Sequence, residues 1–268
     1  MMTGPLKKAV RETWRSRPAQ FLARAGFATN GLVHALIGLL AIGVALGAGG
    51  RADQGGALRQ IARSPGGAVS LWVVTIALAA LGVWLIVGAF MLRRRDPKKR
   101  WGHRVVEIGK GLAYLLLAAT ALTSAMGGQS DSEADVGAMS ATLIATPGGM
   151  LALLAIAALV MVVGGYFVAK GVRRRFVDDI ELPKDPLGGV VVGIGVFGYV
   201  AKGVALVVMG GLLGIAAVKA DPSQASGLDG SLRALAQLPL GQVILVLIGL
   251  GFIAYGLYCF VRARVAKL

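Results

Sequence analysis

Side chains that carry metal, redox or nucleophilic chemistry are scarce in this sequence. It has one cysteine, Cys259, and two histidines, His34 and His103. A single cysteine excludes an intrachain disulfide, and two imidazoles leave too few ligands for a zinc or haem centre. The HExxH, GxSxG and phosphate-loop motifs are also absent from the sequence. We therefore expect no catalytic, cofactor-binding or metal-binding residue and no cofactor, and we predict that the protein is not an enzyme.

Charged residues are also few. They make up 15% of the chain, whereas 56% of its residues are hydrophobic and the mean hydropathy is +0.73. A soluble domain of this length needs more charged surface. The net charge of +15 comes from 28 basic and 13 acidic residues, and the basic ones cluster at the ends of apolar runs. This pattern is typical of membrane topology signals, so we expect the lipid bilayer as partner and no nucleic acid.

Six apolar runs are long enough to cross a bilayer, which needs about 20 helical residues. Forty glycines suit the close helix packing that lipid requires, because small residues let helix backbones approach each other. We therefore predict an all-α, polytopic membrane protein with six transmembrane helices. The predicted spans cover residues 25–48, 69–92, 105–127, 149–169, 187–218 and 240–261.

The lysines and arginines predict the orientation of these spans. Residues 1–24 carry six, the second and fourth connections seven and four, and the tail three. The first, third and fifth connections carry three, none and two. Because cytoplasmic segments hold the basic excess, we predict a multi-pass protein of the bacterial inner membrane with both termini in the cytoplasm. The first apolar run, about 24 residues long, exceeds the apolar core of a signal peptide and predicts a retained span.

Three landmarks recur three times in the same order, which predicts an internal repeat. A glycine precedes a proline by 34, 36 and 36 residues, and a Gly-x-aromatic motif follows 17 residues after each proline. The glycines are Gly31, Gly111 and Gly203, and the prolines are Pro65, Pro147 and Pro239. The motifs are Gly82-Val83-Trp84, Gly164-Gly165-Tyr166 and Gly256-Leu257-Tyr258.

The landmarks predict three tandem two-helix repeats. A basic N-terminal segment (1–20) precedes repeat 1 (21–95), repeat 2 (101–175) and repeat 3 (187–264). Because each repeat contains two spans, all copies point the same way, and we predict pseudo-threefold symmetry about the membrane normal. The spacing before each proline also predicts a short amphipathic helix at the outer interface.

Several stretches of the sequence resemble a bacterial membrane-protein family called domain of unknown function 1206, whose defining trait is a triplicated helix pair. The resemblance covers about residues 20–264 and implies the fold but no established activity. The family usually has Ala-Arg-Gly or Ala-Lys-Gly before the first helix core, where this chain has Thr29-Asn30-Gly31 and Gly109-Lys110-Gly111. The stretches that carry the resemblance are 23–31, Val200-Ala201-Lys202-Gly203, 56–59 and 227–233, together with the proline and Gly-x-aromatic landmarks.

Asn30, Lys110 and Lys202 occupy one repeat-equivalent position, just before the landmark glycine. Polar groups inside a span usually face the bundle interior or water, so one hypothesis is an anion or substrate site near the pseudo-threefold axis. The alternative is interfacial anchoring. Lys110 lies only about 9 Å along a helix from Arg104, and a lysine at that depth can extend back to the headgroups. We favour anchoring, because it accounts for both lysines.

Two further polar residues lie within predicted spans. Glu107 precedes Lys110 by three residues, so the two could form an ion pair on one helix face. His34 follows Asn30 by four residues, and a proton-relay role is one interpretation because histidine titrates near physiological pH. No second histidine lies in a span, since His103 falls in a predicted cytoplasmic loop. We therefore favour a packed, hydrogen-bonded His34.

Aromatic and acidic side chains complete the candidates. Trp84, Tyr166 and Tyr258 share one position near the ends of even spans, and we favour an interfacial aromatic belt over a ligand cage. An acidic patch in the third connection lacks the glycine and terminal glutamate of a calcium loop, so metal binding is not favoured. GxxxG spacing indicates internal helix packing or oligomerisation. The acidic residues are Asp131, Glu133 and Asp135, and the GxxxG pairs are Gly43/Gly47, Gly189/Gly193 and Gly210/Gly214.

Two functions remain open from the sequence. The first is a non-enzymatic structural or interaction module, indicated by the scarcity of functional groups inside the spans. The alternative is a transporter or channel for a small solute, with an anion as the candidate class because of Lys110 and Lys202. Neither the protein partner nor the oligomeric state follows from these residues.

Overall fold

The computed structural model describes residues 17–48, 50–91, 97–128, 131–182 and 186–266. Most of the predicted basic segment (1–20) lies outside these residues. The described parts contain no β-strand and consist of α-helices with two short 3₁₀ turns, Arg175–Asp179 and Pro222–Gln224. Their helices are α1 (Arg17–Ala45), α2 (Gln54–Ala62), α3 (Gly67–Met91), α4 (Pro97–Ala125), α5 (Ser132–Ala145), α6 (Gly149–Val172), α7 (Leu187–Lys219), α8 (Leu228–Ala236) and α9 (Gly241–Val265).

Six of these helices are long and apolar enough to cross a membrane, which confirms the predicted class. Large apolar side chains point away from the protein along them; Leu116 and Leu151, for example, are each 71% exposed. Such surfaces are stable in lipid, where a helix also satisfies every backbone hydrogen bond internally. The spanning segments are Ala23–Ala45, Gly67–Phe90, Arg104–Ala125, Gly149–Val172, Leu187–Lys219 and Gly241–Val265.

The placement of His103 in a loop is wrong, whereas the predicted span 105–127 agrees with the spanning segment Arg104–Ala125. Helix α4 begins at Pro97, eight residues before the predicted span, so position 103 is helical and not part of a loop. The basic residues that precede the apolar run therefore continue the helix beyond the hydrocarbon. Basic side chains oppose burial in lipid but do not break the backbone hydrogen bonds of a helix.

The chain forms two compact units, and α1 and α9 each contribute to both. Unit 1 contains Met1–Asn30, Ile61–Gln129 and Cys259–Leu268. In it, α3 packs against α4. Phe27, Leu81 and Ala263 form its small buried core.

Unit 2 contains Gly31–Gln60 and Ser130–Tyr258, and its main helix pair is α6 with α7. Helix α6 buries a narrow stripe of mostly small residues spaced by four or seven positions, which is one face of a helix. That stripe includes Leu153, Ala157, Gly164 and Gly171. A second core joins α1, α7, α8 and α9 through Ile37, Ala205, Leu232, Leu245 and Phe252, among others.

The repeated glycine landmarks contact each other in pairs. In each pair, the glycine of a Gly-x-aromatic motif faces the landmark glycine of an odd span. The motif glycine has no room for a side chain, because an added methyl group would press on the backbone of the landmark glycine. Such a methyl group would lie 2.8 Å from the Gly111 carbonyl oxygen at Gly82, 2.7 Å from that of Gly203 at Gly164, and 2.6 Å from that of Gly31 at Gly256.

These three glycine contacts join successive repeats and not the two helices of one repeat. They connect α3 to α4, α6 to α7, and α9 to α1. The third contact thus links the last repeat to the first. The pseudo-threefold symmetry remains a prediction, and the shared contact is the feature that supports it.

The three short helices in the odd connections, α2, α5 and α8, end just before the landmark prolines. The residue after each proline adopts a positive φ, and the next spanning helix begins immediately afterwards. Glycine takes this conformation readily at Gly66 (φ 73°) and Gly148 (φ 77°). The third copy has Leu240 at φ 61°, where a side chain costs about 1–2 kcal/mol.

We expect Leu240→Gly to stabilise the protein by about 0.5–1 kcal/mol. Glycine removes the backbone strain, and its greater freedom in the unfolded chain offsets part of that gain. Leu240 is 79% exposed, so little packing is lost. The measurement is the thermal unfolding midpoint in detergent. Gly148→Leu adds a side chain in open space at the equivalent position and should lower the unfolding midpoint. If both variants shifted the midpoint in the same direction, Leu240 would not be strained by its positive φ.

Candidate functional site

A lysine and a histidine meet inside unit 2 at membrane depth. The Lys202 Nζ atom on α7 lies 2.9 Å from the His34 Nε2 atom on α1. The ammonium group also lies 4.4 Å from the ring centroid of Tyr255 and 5.2 Å from that of Phe167. Aromatic faces attract cations, so these contacts replace part of the lost hydration of Lys202. The four residues come from α1, α6, α7 and α9.

The depth of this pair follows from its neighbours. Gly203, next to Lys202, faces Gly164, which lies eight residues before the end of α6 at Val172. At 1.5 Å per residue, Lys202 is about 12 Å from that end of the spanning helix. Its ammonium group engages His34 and two rings, which corrects our interpretation of Lys202 as an anchor that extends to the headgroups.

The contact of His34 with Lys202 depends on the tautomer of its ring. An ammonium group can only donate, so a charged Lys202 pairs with the tautomer that carries its proton on Nδ1. The His34 ring is buried and lies against Phe252 and Tyr255, with centroids 5.9 and 4.8 Å away. This agrees with a packed, hydrogen-bonded histidine, although its partner Lys202 was not expected.

A buried lysine, Lys170, lies nearby in unit 2. Lys170 Nζ is 2.6 Å from Asp179 Oδ2 and 5.4 Å from the Tyr199 ring centroid. Phe176 stacks on Tyr199, and the Tyr258 hydroxyl donates to the Phe176 carbonyl oxygen at 3.2 Å. We did not predict this group. The signal was the dipeptide Lys-Gly, which occurs at 170–171 as it does at 110–111 and 202–203.

The other two repeat-equivalent positions, both in unit 1, have different partners. The buried Asn30 side chain donates from Nδ2 to Cys259 Sγ at 3.3 Å. Lys110 Nζ lies 2.7 Å from Glu107 Oε1, so the spacing of three residues corresponds to an ion pair. The same position of the repeat therefore makes a different contact in each copy. These contacts are an amide–thiol hydrogen bond, an ion pair on a helix surface and the Lys202–His34 pair.

The repeated aromatic position also differs between copies. Tyr166 is 43% exposed and Trp84 is half-buried, and a place in an aromatic belt stays a prediction for both. Tyr258 is fully buried and hydrogen-bonded to Phe176. The belt interpretation therefore does not describe Tyr258, because the 3₁₀ turn Arg175–Asp179 places Phe176 against its ring.

Polar contacts also join the three odd connections within unit 2; we name this group of contacts the odd-connection cluster. Arg51 pairs with Asp131, which links the first connection to the third. Glu133 Oε2 accepts from the backbone N–H groups of Gly227 and Gly230 at the start of α8, which links the third to the fifth. A carboxylate at a helix N-terminus is favourable.

The fifth connection returns to the first through Asp229. Its Oδ1 accepts from the Ala52 N–H at 2.7 Å, and its Oδ2 accepts from Arg233 Nε at 2.8 Å. Arg233 also donates to the Gly50 carbonyl oxygen. Asp229 is only 5% exposed, so these bonds satisfy a charge that would otherwise be costly. Each odd connection thus contacts both others.

The acidic patch predicted in the third connection belongs to this cluster. Asp131 also accepts from the Ala134 N–H at 3.1 Å and so caps α5. The Arg51 guanidinium, together with this N–H group, lowers the pKa of Asp131 below its ordinary value. Within the described residues, no group of three or more metal-ligating side chains converges.

The lowered pKa of Asp131 predicts an acid-dependent loss of stability. A depressed folded-state pKa gives stability that is present above the unfolded value, near 3.9, and is lost as the pH falls through the folded pKa. We expect Asp131→Asn to reduce this acid loss by less than about 1 kcal/mol, because both side chains are 35% exposed. Unfolding midpoints from pH 7 to 3 measure it. Arg51→Gln should reduce the acid-dependent loss of stability by the same amount as Asp131→Asn. A further reduction in the variant that carries both substitutions would contradict the ion pair.

Six apolar helices arranged as three tandem pairs define an integral membrane protein built from an internal repeat. The model of the family described as Domain of Unknown Function (DUF1206) matches residues 25–91, 107–174 and 197–266. The chain belongs to this family, and the prediction of three two-helix repeats is confirmed. A protein of Bacillus subtilis (strain 168), described as "Uncharacterized protein YxxB", is 30% identical over 243 residues, which cover 89% of this chain and 88% of that protein. No solved structure matches the chain at a significant level.

Proposed function

We propose that this protein is a non-enzymatic structural or interaction module of the bacterial inner membrane, with both termini in the cytoplasm. The observation that supports it best is the use of polar side chains for contacts within the protein. Lys202 with His34, Lys170 with Asp179, and the odd-connection cluster each hold separate segments of unit 2 together. Such contacts stabilise one arrangement of the segments, which suits a rigid structural role better than a catalytic or transport cycle.

The test of this role is a flux measurement on the purified protein in liposomes. Radiolabelled chloride, inorganic phosphate and acetate are the probes, each with an imposed concentration gradient. We expect fluxes equal to those of protein-free liposomes. Saturable, gradient-dependent flux of any probe would overturn the structural role.

The predicted orientation is tested by cysteine labelling with a membrane-impermeant thiol reagent. Ser223→Cys, in the exposed fifth connection, should react in intact cells, whereas Glu181→Cys, in the fourth connection, should react only after the membrane is opened. The wild-type chain is the control, because Cys259 is 2% exposed. The reverse labelling pattern would place the termini outside.

A transporter or channel for a small anion is the second candidate, supported by the Lys202–His34 pair. Ionisable residues at membrane depth often line a substrate path. In this case flux of an anion should occur, and Lys202→Met should abolish it. Lys110→Met is the matched control, because Lys110 lies on the surface of α4 in an ion pair with Glu107. Equal flux in both variants would exclude Lys202 from the path.

A further inference from the structure

The short 3₁₀ turn Arg175–Asp179, which follows α6, packs one aromatic side chain into unit 2. This side chain is Phe176, and it is fully buried. The Phe176 ring stacks on Tyr199 of α7 and meets the edge of the Tyr258 ring of α9, with centroids 5.2 Å apart in both contacts. A turn that otherwise consists of two charged residues at each side of a valine and this ring thus inserts a large apolar group between spanning helices.

The Phe176 ring lies between the end of α6 and Lys202. Phe176 packs on Gly195, where an added methyl group would press on the ring. Gly195 precedes Lys202 by seven residues, or about 10 Å along α7. Below Phe176, the Tyr199 and Tyr255 rings lie 5.1 Å apart, and Tyr255 contacts the Lys202 ammonium group. A molecule that approaches Lys202 from the end of α6 therefore meets Phe176 first.

Two polar contacts hold the turn in this position. Lys170 Nζ lies 2.6 Å from Asp179 Oδ2, and the Tyr258 hydroxyl donates to the Phe176 carbonyl oxygen at 3.2 Å. The Lys170 side chain is 8% exposed, whereas the Asp179 side chain is 32% exposed. The ion pair thus joins the packed interior to an accessible edge of the turn, and it can break when Asp179 moves, without unfolding of α6 or α7.

The backbone immediately before the turn is strained. Arg174 adopts φ 53° and ψ 23°, a left-handed conformation that disfavours residues with a side chain. Arg174 is also exposed, so its backbone can rotate without moving a packed side chain. Because this strain is released when the turn swings away, it opposes the closed position. The closed position therefore depends on the ion pair, on the Tyr258 hydroxyl and on the packing of Phe176.

We propose that the turn Arg175–Asp179 is a lid over the Lys202–His34 pair, with Arg174 as its hinge and the Lys170–Asp179 ion pair as its latch. When the ion pair breaks, Phe176 leaves Gly195, and water and small ions reach the rings around Lys202. This inference rests on the second candidate function, because a transporter must open and close access to its site. A turn that is only part of the core would open together with the rest of unit 2.

Hydrogen exchange of the full-length protein in detergent tests whether the turn opens by itself. The Val177 and Ile180 amides donate to carbonyl groups of the turn region, at 3.1 and 3.2 Å. Asp179→Asn should accelerate their exchange about tenfold, the effect of losing one charge-assisted hydrogen bond, without changing exchange in α7. Tyr258→Phe keeps the ring and should accelerate it about fivefold. Equal acceleration in the turn and in α7 would overturn the lid.

Thiol labelling tests whether the turn controls access to the pair. Lys202→Cys places a reactive group below the lid, and a positively charged methanethiosulfonate reagent is the probe. Adding Asp179→Asn should make the labelling about tenfold faster, in parallel with exchange. Glu181→Gln is the matched control, because it removes an exposed carboxylate two positions away and should leave the rate unchanged. The same variants without Lys202→Cys correct for reaction at Cys259.

Two results of the labelling would overturn the proposal. Faster exchange in the turn with an unchanged labelling rate would mean that the turn moves but does not cover Lys202. Equal acceleration by Asp179→Asn and Glu181→Gln would mean that negative charge in the fourth connection, and not the latch, sets the rate. Neither measurement uses solute flux, so failure of the lid and failure of the transport function are distinguishable.

Discussion

Gly164→Ala will destabilise the protein by about 1–3 kcal/mol, the range for overpacking a well-packed contact. The new methyl carbon would lie 2.7 Å from the Gly203 carbonyl oxygen and 2.9 Å from the Val207 backbone nitrogen. Backbone atoms in the middle of a spanning helix cannot rotate away as a side chain can, so α6 and α7 must separate along their contact. The measurement is the midpoint of thermal unfolding in detergent. It is monitored as the loss of the monodisperse peak when the protein is heated.

The neighbouring residue provides the control for Gly164. Gly165 lies on the same helix but is exposed, and a methyl group there would meet no atom within 4 Å. Gly165→Ala should therefore leave the midpoint unchanged or raise it slightly, because alanine is the better helix former. If both alanine variants behaved alike, the loss would reflect glycine content and not the contact with Gly203.

Asp229→Ala will lower the free energy of unfolding by about 2–3 kcal/mol. The substitution leaves the N–H of the fully buried Ala52 without its acceptor, and an unpaired buried donor costs about 1–3 kcal/mol. It also removes the carboxylate that holds Arg233, whose side chain is half exposed and adds less. The first and fifth connections then lose the bond between Ala52 and Asp229, and Arg233, which donates to Gly50, loses the carboxylate that orients it.

Asp229→Asn separates the two parts of this effect. An asparagine oxygen can still accept from Ala52, but the charge opposite Arg233 is gone, so about half of the loss is expected. Asp135→Ala removes an exposed carboxylate from the third connection and should change stability by less than about 0.5 kcal/mol. A loss in Asp135→Ala as large as that in Asp229→Ala would mean that general charge, and not the bond to Ala52, matters.

The class of fold could be predicted because lipid imposes strong rules on sequence. Long apolar runs must become helices, and the landmark glycines and prolines mark the repeats directly. Helix contacts could not be predicted in the same way. The spacing of Gly82 and Gly111 shows that both positions recur, but periodicity carries no information on which helices meet. The contacts in the folded protein show that the glycines join consecutive repeats.

The candidate site was predictable only in part, for a similar reason. The sequence indicates that Lys202 and His34 are polar residues inside predicted spans. They are separated by 168 positions, and no pattern in the sequence predicts that they make contact. The sequence also predicts similar environments for Lys202 and Lys110, since both residues directly precede a landmark glycine. Their environments differ because Lys110 has Glu107 one turn away on α4, whereas Lys202 is near the rings of Tyr255 and Phe167.

The glycine pairs follow a cyclic order, and this order has a consequence for chain connectivity. Each glycine pair joins the second spanning helix of one repeat to the first spanning helix of the following repeat, and the third repeat is paired with the first in the same way. The pairs therefore do not depend on which repeat is first in the chain. A circular permutant that begins at repeat 2 and carries repeat 1 at its end, attached through a flexible linker, would retain all three pairs. The position of the chain ends is thus separable from the three glycine contacts.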